Sequence, residues 1–155
     1  MIIQTGNRTD IPAFYSEWFA NRLREGFVLV RNPFDPFKVT RYRLDPSVAD
    51  LIVFCSKNPE PMLQYHDLLV PYHRYWFVTI TPYGQDIEPN VPDKMRVIDT
   101  FHRISEFVGP DCMCWRYDPI LLNDEWTVTH HIEAFADMCR RLAGATRTCV
   151  ISFID

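Results

Sequence analysis

Two hydrophobic periods alternate along the chain, one of 2 residues and one near 3.6, and they recur at a spacing of roughly thirty residues, as in successive βα units. The β-branched and aromatic runs Ile2–Thr5, Phe27–Arg31, Leu51–Ser56, Tyr75–Thr81, Cys112–Tyr117 and Cys149–Ile154 predict strands, each closing in a polar or proline-containing loop. Lys38–Leu44 is a candidate for one more. Between them lie segments with helix start and stop signals. Asp10 can cap a helix with Pro12 in its first turn and Gly26 at its left-handed end; Phe14, Trp18 and Leu23 are then expected to face inward. Asp93 can cap a second helix in which Val97, Phe101, Ile104 and Val108 form the apolar stripe and Gly109-Pro110 the stop. In a third, Val128, Ile132, Phe135, Cys139 and Leu142 share one face, Arg140 and Arg141 sit where the helix dipole favours cations, and Gly144 terminates. Met62–Tyr72 reads as helical up to the interruption at Pro71.

Strands alternating with helices imply a parallel sheet, either doubly wound or of the (β/α) barrel type. Strand polarity distinguishes the two. Within Cys112–Asp118, Met113, Trp115 and Tyr117 alternate with Cys112, Cys114, Arg116 and Asp118. Within Tyr75–Tyr83, Trp76, Val78 and Ile80 alternate with Phe77, Thr79, Thr81 and Tyr83. An aliphatic face backed by a polar one suits a lumen or open cleft better than a sheet buried on both sides. A full barrel takes about 250 residues, so the expected architecture for residues 1–155 is a single-domain, incomplete (β/α) barrel of about six parallel strands with outer helices.

The composition, 47% hydrophobic and 23% charged, fits one globular domain. With 16 Lys and Arg against 20 Asp and Glu the net charge is −4, the wrong sign for an electrostatic nucleic-acid binder. No apolar run reaches the roughly 18 residues of a membrane span, and Met1-Ile2-Ile3-Gln4 does not open like a signal peptide. A cytoplasmic protein is expected, and its five cysteines, an odd number without a close-set framework, are expected to be reduced.

Polar residues cluster where the strands end: Asn7-Arg8-Thr9-Asp10, Arg31-Asn32-Pro33, Ser56-Lys57-Asn58-Pro59, Thr81-Pro82-Tyr83-Gly84, Arg116-Tyr117-Asp118-Pro119 and Asp155. Parallel α/β proteins bind small molecules outside the carboxyl ends of their strands, where loops converge. Arg8, Arg31, Lys57 and Arg116 are candidates to hold an anionic group by charge-assisted bonds, with Asp10, Asp118 and Asp155 to balance them. Asn32, Asn58, Thr81 and Tyr83 are further candidate ligand contacts, and Lys57, Arg116 and Asp118 the candidate catalytic groups. Against this stand simpler roles: Asp10 as a helix cap, and Arg8–Asp10 and Arg116–Asp118 as loop-stapling ion pairs.

Cys112-Met113-Cys114 places two thiols on one strand face without further ligands at metal-site spacing, and no metal site is expected. Cys55, Cys139 and Cys149 read as core residues, and His130-His131 as helix-surface residues. Nucleophile-elbow, P-loop and dinucleotide-binding signatures are absent.

Six motifs in order, Arg8-Thr9-Asp10-Ile11-Pro12-Ala13-Phe14-Tyr15, Val30-Arg31-Asn32-Pro33, Lys57-Asn58-Pro59, Thr81-Pro82-Tyr83-Gly84, Asp86-Ile87-Glu88-Pro89-Asn90-Val91-Pro92 and Trp115-Arg116-Tyr117-Asp118-Pro119-Ile120, resemble a bacterial family catalogued as domain of unknown function 1848. The resemblance spans nearly the whole chain. It implies a partial barrel similar to radical S-adenosylmethionine enzymes, with a C-x-x-x-C-x-x-C cluster near the family's C-terminus that would hold a [4Fe–4S] cluster for S-adenosylmethionine. This chain has no such triplet, so it looks like the family's N-terminal part, without a cofactor of its own and inactive alone. Asn7 and Cys55 stand where an arginine and a larger aromatic residue are expected.

The first expectation is therefore the N-terminal portion of a radical-S-adenosylmethionine-like barrel, with a small molecule at the strand carboxyl ends. The alternatives are a cluster-independent barrel hydrolase or lyase using Asp118 or Asp155 as base, and a non-catalytic subunit that self-associates through an open sheet edge.

Overall fold

In a computed structural model describing residues 1–154, five strands form one parallel sheet in the order β1-β4-β5-β6-β7. They are β1 (Ile2–Gln4), β4 (Leu51–Ser56), β5 (Arg74–Thr79), β6 (Met113–Ile120) and β7 (Thr148–Phe153). The two remaining strands, β2 (Phe27–Arg31) and β3 (Val39–Arg43), pair antiparallel as a separate hairpin. This corrects the expected six parallel strands: Phe27–Arg31 forms as a strand but is taken out of the sheet by Val39–Arg43, which follows it too closely for a parallel crossover. No barrel is closed.

The order rises monotonically through the sheet, so the doubly wound alternative is excluded. Right-handed crossovers taken always in one direction leave their helices on one face. Ile52, Phe54, Trp76, Val78, Met113, Trp115 and Tyr117 point to that face and form a single core with Phe19, Leu23, Met62, Phe101, Ile104, Met138 and Leu142 from the helices. Phe54 stacks on Trp76 across the β4–β5 pair at 4.0 Å between centroids. On the opposite face Leu51, Val53, Cys55, Tyr75 and Phe77 are only half-buried. The alternation read from the sequence is the alternation observed.

Asp10 caps α1 (Ile11–Phe14), its Oδ1 accepting from the Ala13 amide at 3.0 Å. Tyr15 then leaves helical geometry and α2 (Ser16–Glu25) starts afresh, ending at Gly26 with φ 73°. That break re-phases the segment. Leu23 is buried as expected, but Phe14 and Trp18 are 70% and 44% exposed, and Phe19 and Ala20 take the inward positions. The Met62–Tyr72 segment is two single turns, α3 (Glu60–Leu63) and α4 (His66–Leu69), broken before Pro71 is reached. The helix capped by Asp93, α5 (Lys94–Val108), buries Val97, Phe101 and Ile104 and stops at Gly109, φ 84°. None of these helices is long and apolar enough to cross a membrane.

The last helix, α6 (Val128–Arg141), departs from its sequence pattern. Val128 and Ile132 are more than half exposed and Cys139 is exposed, whereas His131, Met138 and Leu142 are buried. His131, expected at the surface, is accepted in the core because both ring nitrogens are satisfied: Nε2 lies 2.9 Å from the Leu121 carbonyl and Nδ1 2.7 Å from the Tyr117 hydroxyl. A carbonyl only accepts, so Nε2 carries the proton and Tyr117 donates to Nδ1. Cys149, on the edge strand β7, is likewise exposed rather than in the core.

Candidate functional site

The carboxyl ends of β1, β4, β5, β6 and β7 carry a layer of charged groups built on one repeated unit, a carboxylate that accepts a hydrogen bond from the hydroxyl of a strand-end residue. After β1, Asp10 Oδ2 accepts from Ser56 Oγ at 2.9 Å and from the Lys57 amide at 3.1 Å. After β5, Glu88 Oε2 accepts from Thr81 Oγ1 at 2.6 Å. On β6, Asp118 Oδ1 accepts from Ser152 Oγ of β7. The other Glu88 oxygen takes the Lys57 ammonium, and the other Asp118 oxygen the Arg116 guanidinium. Since Asp10 Oδ1 holds the Ala13 amide, all six carboxylate oxygens are committed.

The carboxylates sit behind and the cations in front. Glu88 and Asp118 side chains are each 13% exposed, Lys57 38% and Arg116 33%. The Arg116 Nη1 also lies 3.2 Å from Cys55 Sγ. Gly6 approaches the same residue from the end of β1, where a Cβ built on it would meet Cys55 Cβ at 2.7 Å. Asn58 donates its backbone amide to Ser56 Oγ at 2.9 Å and so braces the Asp10 unit.

Beside Glu88, a cavity of about 220 Å³ opens between the end of β5 and the start of α5, lined by Thr81, Tyr83, Gln85, Glu88 and Lys94 among others. The Lys94 ammonium donates to the Pro82 and Tyr83 carbonyls at 2.5 and 3.2 Å, and burial holds its pKa below the usual lysine value. Tyr83 is a structural clamp: its hydroxyl donates to the Pro119 carbonyl at 2.7 Å and accepts from the Leu121 amide at 2.7 Å, tying the loop after β5 to the end of β6.

Lys57, Arg116, Asp118, Asp10, Asn58, Thr81 and Tyr83 thus come to one rim. Arg31 and Asn32 belong to the hairpin instead. Asn32 shapes its turn, Oδ1 accepting from the Phe34 amide at 2.8 Å and the Asp35 amide at 3.2 Å. Arg8 joins that side, donating to the Arg31 carbonyl at 3.0 Å rather than to Asp10. Asp155 lies outside the described residues. Glu88 and Ser152 were not singled out from the sequence, although both were signalled: Ser152 alternates onto the face of Arg116 and Asp118, and Glu88 is an acid in a proline-rich loop after a strand.

The thiols do not fit a [4Fe–4S] cluster. Among the described residues no group of three His, Cys, Asp or Glu can hold a metal ion. Burial also pushes the Cys114 thiol up, against the thiolate a cluster requires.

A singly wound parallel sheet, with helices on one face and a charged rim at the strand carboxyl ends, defines an α/β protein. More particularly, the chain belongs to the family described as Domain of unknown function (DUF1848), whose model matches residues 2–155. No curated protein and no solved structure matches it.

Proposed function

We propose that this chain is the ligand-binding, N-terminal part of a (β/α) barrel enzyme similar to radical S-adenosylmethionine enzymes, and that its strand-end cations hold an anionic group of a small polar molecule. The monotonic strand order and the half-buried inner face support the barrel reading, because that face is the one a closed barrel turns into its lumen. The family resemblance supports the enzyme class.

The observation that carries the reading is the direction of the charges. Asp10, Glu88 and Asp118 each accept internal bonds on both oxygens, and Glu88 and Asp118 lie behind the cations, whereas Lys57 and Arg116 are more exposed and keep unused N–H donors. The rim is therefore arranged to bind, which favours ligand capture over the hydrolase or lyase alternative with Asp118 as base. Isothermal titration of the protein with S-adenosylmethionine and, separately, inorganic phosphate is the test. Saturable binding of either, weakened about tenfold in Lys57→Met and in Arg116→Met, is expected from the loss of one charge-assisted contact. Absence of binding to both, or binding indifferent to both substitutions, overturns the reading.

A second reading, completion of the fold by another polypeptide, is favoured by one observation. Val128 and Ile132 of α6 and Ile151 and Phe153 of β7 line an apolar groove beside the outer strand of the sheet. Sedimentation would show a concentration-dependent oligomer, dispersed by Ile132→Asp, if copies of the chain cover it.

A further inference from the structure

Between the outer edge of β1, α2 and the hairpin lies a cleft of about 520 Å³, within the range of small-molecule sites. Its walls are apolar, with Ile3 on one side and Val28 and Val30 on the other, and the Trp18 and Tyr15 rings stand at its rim. Their exposure, 44% and 50%, leaves aromatic surface unburied facing a concavity. Arg8 and Arg31 both line it, with Arg8 Nη2 donating to the Arg31 carbonyl at 3.0 Å. Among the described residues no carboxylate lines the cleft or pairs with either arginine, and the Arg31 side chain makes no hydrogen bond.

We propose that this cleft is a second binding site, separate from the strand-end rim, for a small amphiphilic anion with a flat apolar body and one carboxylate-like head. The wall supplies burial for the body, Trp18 and Tyr15 a stacking surface, and the two arginines a planar fork of donors for the head. The uncompensated positive end distinguishes it from the rim, where Lys57 and Arg116 each already face a carboxylate. It also separates it from the groove beside β7, whose lining is apolar apart from His131 and the Tyr117 hydroxyl and holds no cation of the Lys or Arg type.

Calorimetric titration with 2-naphthoate and with its neutral counterpart 2-naphthamide tests the assignment. Naphthoate binds once per chain and about tenfold or more tighter than the amide, as charge-assisted contacts require. Arg31→Gln, which breaks no hydrogen bond or ion pair of the folded chain, removes that preference while leaving the amide's affinity unchanged; Trp18→Ala weakens both ligands; Ile132→Ser, in the groove beside β7, alters neither. Absence of naphthoate binding, equal affinity for acid and amide, insensitivity to Arg31→Gln, or loss of binding in Ile132→Ser would each overturn the proposal. Lys57→Met leaves naphthoate binding intact, so failure here and failure of the strand-end reading are told apart.

Discussion

The carboxylate of Asp10 holds the Ser56 hydroxyl at 2.9 Å across 46 residues of chain, joining the loop after β1 to the end of β4. The same carboxylate caps α1 and takes the Lys57 amide, so one side chain fixes both a helix start and the backbone that carries a rim cation.

Removing that carboxylate separates its two duties. Asp10→Ala is expected to cost about 4 kcal/mol or more, the sum of a lost N-cap and of two hydrogen bonds to a charged acceptor. Asp10→Asn keeps a competent cap and is expected to cost about 1 kcal/mol less. Urea unfolding monitored by circular dichroism measures both; equal losses would mean that the cap contributes nothing, and no loss in Asp10→Asn that the tie to Ser56 and Lys57 contributes nothing.

Gly6 and Cys55 meet so closely that a β-carbon on the first collides with that of the second. Gly6→Ala is expected to destabilise by about 1–3 kcal/mol through overpacking. The cost of Gly6→Ala should shrink in a Cys55→Gly background, and a double-mutant cycle that came out additive would show that the two do not touch.

The buried pair Tyr117 and His131 makes a second stability prediction. Tyr117→Phe keeps the ring packed on Phe135 and Trp115 but leaves His131 Nδ1 without its donor. An unsatisfied buried acceptor costs about 1–3 kcal/mol. A change below a few tenths in denaturant unfolding would place water, rather than Tyr117, on that nitrogen.

Alkaline pH should destabilise the fold. Burial raises the phenol pKa of Tyr72, Tyr75, Tyr83 and Tyr117 above 10.0 and the Cys114 thiol above 9.0. Each of these groups is held in its neutral form by the fold. The stability they contribute is complete below the unfolded pKa and is lost as pH rises through the folded one. Lys94 and Arg74 act in the opposite sense, since burial lowers their pKa values, but they are two groups against five. Melting temperature is therefore expected to fall as pH rises above 9.0, and a flat profile in thermal scans would contradict the burial of these groups.

Much of this molecule is legible from its residues taken in order. The strand runs and the stops at Gly26, Gly109 and Gly144 are local properties, set by side-chain alternation and by backbone conformations that glycine adopts without cost. The aliphatic and polar faces of β5 and β6 are local as well, and so is the concentration of charge at strand ends. The family follows from the same ordered motifs.

Pairing and phase, by contrast, are decided in three dimensions. Phe27–Arg31 has the composition of a sheet strand, but which partner it takes depends on the competing proximity of Val39–Arg43. Phe14 and Trp18 keep the helical spacing of inward residues, yet a single non-helical residue, Tyr15, rotates them outward. His131 enters the core only because Tyr117 and Leu121, distant in sequence, supply both of its hydrogen bonds. The choice of carboxylate for each rim cation is of the same kind, since Glu88 reaches Lys57 only after β4 and β5 lie side by side. Local chemistry determines the elements, whereas the energies that pair them come from contacts between residues that the chain alone keeps far apart.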